Sequence, residues 1–187
     1  MYDAVIIGSG PAGHECARKT AELGGKAVIV EKDSLGGTCT NTGCIPTKAL
    51  HASASFFSDI RKSSKMGFKV IPPDVELSSL NERKNRIVKV MSLGVRKLLE
   101  DCNVEIIKGE AKIKDRHSVM VLDRILKTKN IVIATGAKPR MLEGIPANDI
   151  FLTSTQLLDL KKLPSSLLII GGGYIGCEFA SIFSVLA

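Results

Sequence analysis

Short apolar runs and longer helical patterns alternate along this chain, and their order predicts strand, helix, strand from the first residues onward. Tyr2 to Ile7 is a short β-rich run, a helical stretch follows as far as Gly24-Gly25, and Lys26 to Val30 is a second β-run that ends at Glu31. Continuous apolar runs of this length suit strands covered on both faces, as in a parallel sheet. From Ile45 to about Ser64 the spacing turns helical, with Ala49, Phe56, Phe57 and Ile60 on one face. A break follows at Gly67 and Pro72-Pro73, and a second long helix reads from about Val75 to Leu99 through Leu80, Ile87, Met91, Val95 and Leu98. The simplest expectation is that these two helices pack on each other; a subunit interface is the alternative. Asp101-Cys102-Asn103 ends the helix, and Cys102 is expected as a buried or half-buried structural thiol. Strand-like pieces follow at Val104 to Lys108, Ala111 to Ile113, Ser118 to Leu122 and Ile131 to Ala134, separated by turn signals such as Lys114-Asp115-Arg116. Leu167 to Ile170 is expected as one more short buried strand. The class is α/β: a parallel sheet in a three-layer arrangement, with an added β-meander and a long helix pair.

Two glycine loops sit at strand ends in this pattern. The first is Gly8-Ser9-Gly10-Pro11-Ala12-Gly13, a G-x-G-x-x-G between strand and helix. Its first glycine permits the tight turn, its second lets backbone approach a pyrophosphate, and its third lets helix and strand pack closely. The helix N-terminus then offers free N–H donors to phosphate. Glu31, about 20 residues on, is placed where a carboxylate accepts ribose hydroxyls. The second loop is Gly171-Gly172-Gly173-Tyr174-Ile175-Gly176. Aligning Gly171 with Gly8 puts Ala187 on Gly24, so the residue that tells NAD from NADP falls past the chain end, and NADP is not excluded. The expected domains are therefore 1-150, a first dinucleotide-binding domain, and 151-187, the start of a second. The chain is expected to be a piece of a longer protein, since a strand and one helix cannot cover their own apolar faces. The other reading is that the last unit packs on the first domain. Thr135-Gly136, after the strand ending at Ala134, suits either close approach to a ligand or a tight exit from the sheet.

Composition narrows the partners. With 187 residues, 44% of them hydrophobic, the chain has material for one good core and part of a second. Lys and Arg total 26 against 19 Asp and Glu, a net +7, which raises the question of nucleic acid. The basic residues are spread from Arg61 to Arg140 among apolar periodic positions, and there is no Trp for base stacking. No nucleic-acid partner is expected; the surplus is a solvated positive surface, or one that favours an anionic dinucleotide or an acidic protein. The opening run MYDAVIIGSG has no basic region ahead of it, and no apolar run approaches the ~18 residues of a membrane span. Neither a signal peptide nor membrane association is expected, and the cytoplasm is the expected compartment.

Cys39 and Cys44 lie five positions apart, with four residues between them, in GGTCTNTGCIPTK, between a glycine pair and a proline-started helix. Residues five apart in a helix rise about 7.5 Å, whereas disulfide-bonded Cα atoms lie roughly 4.4 to 6.8 Å apart. A bridge between them requires a bend, which Asn41 and Gly43 tolerate. Pro46 fits the first helical turn, so Cys44 falls near a helix N-terminus, where the helix dipole and Lys48 favour a thiolate. Coincidence, metal ligation and a structural disulfide are the competing readings. Cys16, Cys102, Cys177, His14, His51 and His117 are scattered singly, without the second ligand pair a zinc site wants, so no metal is expected. In a cytosolic protein a close cysteine pair is more often catalytic.

Two glycine loops with this C-x4-C between them resemble the flavin-dependent disulfide reductases, along the whole chain. Within that family Ile45-Pro46-Thr47-Lys48-Ala49-Leu50 looks most like the dihydrolipoyl dehydrogenase branch, while Thr40 and Thr42 depart from the larger apolar residues usual there. The resemblance implies a Rossmann-like FAD/NAD(P)-binding fold followed by an incomplete second dinucleotide unit. It assigns FAD to Gly8, Ser9, Gly10, Pro11, Ala12, Gly13, Glu31, Lys32, Gly37, Thr38, Lys48, Ala111 and the Ala134-Thr135-Gly136 segment. It assigns the nicotinamide cofactor to Gly171, Gly173, Tyr174, Ile175 and Gly176, with Tyr174 as a gate. Cys39 is implied as the thiol that exchanges with substrate, Cys44 as the one facing the flavin, and Glu178 as the partner of Lys48. The implied activity is oxidation of dihydrolipoamide, free or on a lipoyl protein, by NAD in a redox-homeostatic role. The implied assembly is a homodimer within a 2-oxo acid dehydrogenase or glycine cleavage complex. None of the three histidines fits the family's catalytic base, so this chain alone is expected to be inactive. The alternatives are another disulfide or metal-ion reductase of glutathione or mercuric type, and a non-catalytic flavin- or partner-binding module.

Overall fold

The computed structural model describes residues 1–71, 73–140, 143–144 and 150–186. In chain order the elements are β1 (Tyr2–Ile7), α1 (Pro11–Glu22), β2 (Ala27–Glu31), α2 (Gly37–Thr42), α3 (Cys44–Lys62), a 3-10 turn (Ser63–Met66) and α4 (Leu77–Asp101). Then come β3 (Glu105–Lys108), β4 (Ala111–Asp115), β5 (Ser118–Val121), β6 (Arg124–Ile133), α5 (Ser154–Leu157) and α6 (Tyr174–Leu186). They form two compact units interleaved in sequence: Met1–Asn41 with Val88–Lys138, and Thr42–Ile87 with Pro139–Ala187. This division by compactness cuts across the motif-based boundary at 150. Pro72, part of the expected break, and Ala187 lie outside the described residues.

The first unit is a six-stranded mixed sheet of order β3-β2-β1-β6-β5-β4. β1 lies parallel to β2 in the register Ala4–Ala27 to Ile7–Val30, and parallel to β6 from Tyr2–Thr128 to Ile7–Ile133. β5 runs antiparallel to both β4 and β6, which makes the meander. Alternation along β1 and β2 sends successive side chains to opposite faces. Ala4, Ile6, Ala27 and Ile29 pack on Ala17 of α1 and Leu99 of α4. Val5, Val28 and Val30 face the other way, against Val119, Val121 and Leu126 of the meander. Both faces are covered, so these strands carry no polar alternation; each fully buried Val or Ile contributes about 1.5–3 kcal/mol. α4 stops where Asn103 takes φ 55°, with Val104 N–H on the Leu99 carbonyl and Asn103 N–H on that of Glu100. Cys102 is half-buried against the Leu99 cluster.

In the second unit α3 packs along α6 through Leu50, Ala54, Phe179, Ile182, Phe183 and Leu186, closed by Leu157 and Leu158. The expected partner of α3 was the following long helix; α4 instead reaches this cluster only at its start, through Leu80. Phe56, expected on the apolar face, is exposed, because the stripe that α6 covers is the one carrying Leu50 and Ala54. Lys84 of α4 is buried, its Nζ donating to the Leu158 carbonyl and to Asp159 Oδ1, while Asn81 Nδ2 donates to the Leu160 carbonyl (2.8 Å). Leu167 to Ile170 does not form the expected buried strand: no strand is assigned there, and Leu168 and Ile170 are exposed. A strand is held by its ladder, and no described strand pairs with this run. In the first unit β6 starts at Arg124 and not at Ile131, because its first half pairs with β5 from Val121–Arg124 to Ser118–Lys127.

Candidate functional site

Close backbone approach defines the first glycine loop. Gly8, at φ 101°, turns the chain out of β1, and a Cβ there would lie 2.3 Å from the Ala134 carbonyl oxygen at the end of β6. A Cβ on Gly13 would lie 1.9 Å from the Gly8 carbonyl oxygen, so nothing larger than hydrogen fits between loop and helix. Gly10 differs: the nearest atom to a Cβ there is the Gly37 Cα at 3.9 Å, and the space above it is open. Gly37, at φ 61°, sits with its own Cβ position 2.6 Å from the Gly10 Cα. Pro11 opens α1 and His14 N–H closes on the Gly10 carbonyl (3.0 Å), leaving the helix's earlier amides directed outward at the loop. A flat, side-chain-free surface at a helix N-terminus suits a pyrophosphate.

Glu31 ends β2 beside this loop. Its Oε2 accepts the Ser9 hydroxyl (2.7 Å) and the Ser9 N–H (2.8 Å), and its Oε1 accepts the Asp33 N–H (2.8 Å). Partial burial pushes the Glu31 carboxyl upward, but donation from the Asp33 N–H, the Ser9 hydroxyl, the Ser9 N–H and the Lys32 N–H outweighs it and holds the group below the usual glutamate range. Ala134 thus meets Gly8, Gly37 meets Gly10, and Ser9 meets Glu31. Lys32, Thr38, Thr135 and Gly136 are exposed near the ends of β2, α2 and β6, as are Pro11 and Ala12 at the start of α1. Ala111 opens β4 opposite Val121 and packs at the edge of the Val5 cluster.

The two cysteines lie on successive helices. Cys39 is half-buried on α2, Cys44 is exposed as the first residue of α3, and neither is in a disulfide. The bend the spacing demands is at Gly43, whose φ −137°, ψ −113° lies outside the helical region. Thr47 restores order after it, its N–H and hydroxyl both donating to the Gly43 carbonyl (3.1 and 2.6 Å), with Pro46 fully buried.

In the second unit the other loop repeats the backbone of the first. Gly171 takes φ 109°, a Cβ on Gly176 would lie 2.4 Å from the Gly171 carbonyl oxygen, and Cys177 N–H closes on the Gly173 carbonyl at 3.0 Å. Gly173 has nothing within 4 Å of a Cβ, where Gly10 has only the Gly37 Cα at 3.9 Å. Tyr174 and Ile175 are exposed at the first turn of α6. One turn on, Glu178 Oε1 accepts a hydrogen bond from Lys48 Nζ of α3.

Four residues given no site role from sequence hold the turn before α2. Gly36 (φ 96°) gives its N–H to Ser9 Oγ (3.2 Å), and the Thr40 side chain fills the space a Gly36 Cβ would need. Asn41 Nδ2 donates to the Leu35 and Gly37 carbonyls, and Ser92 Oγ to that of Leu35. The adjacent glycines 36 and 37 were the available signal.

Residues 2–187 match the family described as pyridine nucleotide-disulphide oxidoreductase. A dihydrolipoyl dehydrogenase of Chlamydia pneumoniae is 38% identical over 99% of this chain and 41% of its own length. That of Geobacillus stearothermophilus is 38% identical over 97% of this chain and 40% of its own, and that of Acholeplasma laidlawii 39% over 98% and 56%. Among solved structures, the Cu(II) complex of HOCl-induced flavoprotein disulfide reductase RclA from Escherichia coli superposes with a TM-score of 0.81 at 35% identity, covering 98% of this chain and 39% of that one. The chain thus spans about two fifths to just over half the length of these relatives.

Proposed function

The chain belongs to the pyridine nucleotide-disulphide oxidoreductase family, and from that premise we propose that it carries the FAD-binding and dithiol-exchange part of an enzyme that oxidises dihydrolipoamide with NAD. The observation that carries the reading is the pair of glycine loops with matching backbones, each closed where a Cβ would clash and open where a phosphate would approach. The first fits FAD, with Gly8 to Gly13, Gly37, Thr38 and Ala134 to Gly136 as its cradle, and Glu31, Lys32 and Ala111 toward the adenosine. The second fits the nicotinamide cofactor through Gly171, Gly173, Tyr174, Ile175 and Gly176. By motif the domains are 1-150 and 151-187. FAD, when bound, supplies the two-electron acceptor that joins thiol chemistry to hydride chemistry.

The chain's own part is thiol exchange. A substrate thiolate attacks the Cys39 sulfur of the oxidised Cys39–Cys44 pair, forming a mixed disulfide and releasing the Cys44 thiolate. The second substrate thiol then attacks its own sulfur in the mixed disulfide and displaces Cys39, so the substrate leaves as a cyclic disulfide and two electrons stay on the cysteines. Cys44, at the α3 N-terminus, is the thiol on the flavin side. Lys48 is held by Glu178 one turn along α3, which fixes a positive charge on the face that follows Cys44. The substrate assignment follows the relatives named dihydrolipoyl dehydrogenase; a homodimer in a 2-oxo acid dehydrogenase or glycine cleavage complex, in the cytoplasm, goes with it. No helix among the described residues is long and apolar enough to cross a membrane.

The test is to oxidise the protein, map its disulfide by peptide mass spectrometry, load FAD, and titrate anaerobically with dihydrolipoamide, glutathione or NADPH. The reading expects a Cys39–Cys44 linkage that dihydrolipoamide opens with release of lipoamide. A linkage that only the glutathione system opens moves the substrate to the glutathione type, and absence of any linkage between these cysteines sinks the exchange mechanism.

A further inference from the structure

Ser9 is fully buried, and its hydroxyl has one proton to give and lone pairs to accept. The proton goes to Glu31 Oε2 at 2.7 Å, and the Gly36 N–H arrives at the same oxygen, Ser9 Oγ, at 3.2 Å. One side chain therefore bridges three segments: the glycine loop, the end of β2, and the turn from which α2 and Cys39 start. Direction matters in this bridge. A hydroxyl whose single proton is drawn to a carboxylate presents a lone pair to the amide, so the charge-assisted bond orients the second one. Among the described residues, Asn41 and Ser92 also donate side-chain hydrogen bonds to the turn, and both hold carbonyls.

We infer that Ser9 is a positioning residue that couples the carboxylate assigned to the cofactor ribose to the turn carrying Cys39. Oε2 of Glu31 already accepts two hydrogen bonds and Oε1 accepts the Asp33 N–H, while a carboxylate offers about four acceptor sites. A ligand hydroxyl donating to Glu31 competes for these lone pairs, loosens the hold on the Ser9 proton, and through it changes the Gly36 N–H bond. The ligand in this coupling rests on the function proposed above; the bridge itself belongs to the nucleotide-free chain, and the two are tested apart.

The bridge is tested on the isotope-labelled chain without nucleotide, by amide hydrogen exchange at Gly36 and by carboxyl titration of Glu31 in wild type, Ser9→Ala and Glu31→Gln. Ser9→Ala is expected to exchange the Gly36 amide about tenfold faster, the worth of one net hydrogen bond, and to move the Glu31 titration to higher pH. Glu31→Gln is expected to speed Gly36 exchange although the Ser9 hydroxyl remains. Ile29, in the middle of β2, keeps its wild-type exchange rate in both, which separates the effect from general loosening. If Ser9→Ala does not fold, Glu31→Gln decides; unchanged Gly36 exchange in the variants overturns the bridge. The coupling is then read by adding FAD. The amide resonances of Gly36 and Cys39 are expected to move together in wild type, and the Gly36 shift is expected to vanish in Ser9→Ala when each protein is compared at its own saturating FAD concentration, followed by flavin fluorescence. FAD bound without a Gly36 shift overturns the coupling. No FAD uptake by wild type overturns the coupling together with the function, and leaves the bridge to the nucleotide-free result.

Discussion

Alanine at Gly10 and alanine at Gly13 separate ligand approach from internal packing. A Cβ on Gly10 has its nearest neighbour at 3.9 Å, an ordinary contact, and the backbone there (φ −60°, ψ 179°) suits any residue. Its cost in the nucleotide-free chain is that of alanine at a helix N-cap, about 0.5–1 kcal/mol, or about 1–4 °C in melting temperature for a chain of this size. A Cβ on Gly13 lies 1.9 Å from the Gly8 carbonyl oxygen, 2.9 Å from its carbon and 3.4 Å from the Ala134 Cβ. Loop and helix must separate to admit it, at about 3 kcal/mol or more, or about 6–12 °C. Toward FAD the order reverses in kind. Gly13→Ala weakens binding by deforming the loop, whereas Gly10→Ala leaves the fold intact and puts a methyl group where the pyrophosphate must sit. The expected loss for Gly10→Ala is about hundredfold, or about 2.8 kcal/mol. Thermal unfolding followed by circular dichroism gives the first quantity, and titration of flavin fluorescence the second. Gly10→Ala binding FAD like wild type, or Gly13→Ala melting within a degree of it, refutes the reasoning.

Four further outcomes follow from the same structure. Leu122 holds φ 51° at the exposed tip between β5 and β6, so Leu122→Asn is expected to raise stability by about 1 kcal/mol, read as a higher melting temperature. Glu31 sits below its ordinary range in the fold, so its contribution is complete above the unfolded value of about 4.3 and is lost as pH falls through the lower native value; Glu31→Gln is expected to flatten the acid limb of stability against pH, measured by urea unfolding. Lys84→Met removes a buried donor from the Leu158 carbonyl and is expected to cost about 2 kcal/mol. Asp159→Asn, at a carboxylate that is 66% exposed, is expected to change stability by less than about 0.5 kcal/mol in the same urea experiment.

The β1-α1-β2 unit is legible because its glycines stand at fixed offsets between two apolar runs, and the contact of Gly13 with the Gly8 carbonyl lies within that unit, whereas the contact of Gly8 with Ala134 comes from β6 and is not read from the motif. α2 is not legible. Gly37, Thr38, Thr40, Asn41 and Thr42 are weak helix formers, and the turn is held by Asn41 on backbone carbonyls and by Thr40 against Gly36. The start of β6 escapes for a related reason: its first residues mix Arg, Lys and Thr with apolar side chains, and Leu122-Asp123 lacks the Asn-Gly signal of a two-residue turn. Leu167 to Ile170 shows the converse, since apolar composition makes a strand only where a ladder partner exists. On α3 the helical period is right, with Ala49 buried and Phe57 packed as expected, but α6, far along the chain, centres the covered stripe on Leu50 and Ala54 and leaves Phe56 in solvent. At the site, spacing identifies the loops and the cysteine pair as features. The Ser9 bridge cannot be read that way, because it joins Gly36 to Glu31 across segments that only the sheet brings together.

The electron route through the two cysteines is tested most directly by anaerobic absorption spectra of the FAD-loaded protein, taken for wild type after two-electron reduction, which opens the cysteine pair, and for Cys39→Ser and Cys44→Ser without reductant, since neither can form the pair and added electrons would go to the flavin. A long-wavelength charge-transfer band is expected in wild type and in Cys39→Ser, with none in Cys44→Ser. A band that survives loss of Cys44, or FAD bound with no band in wild type, contradicts the placement of Cys44 on the flavin side and the route built on it.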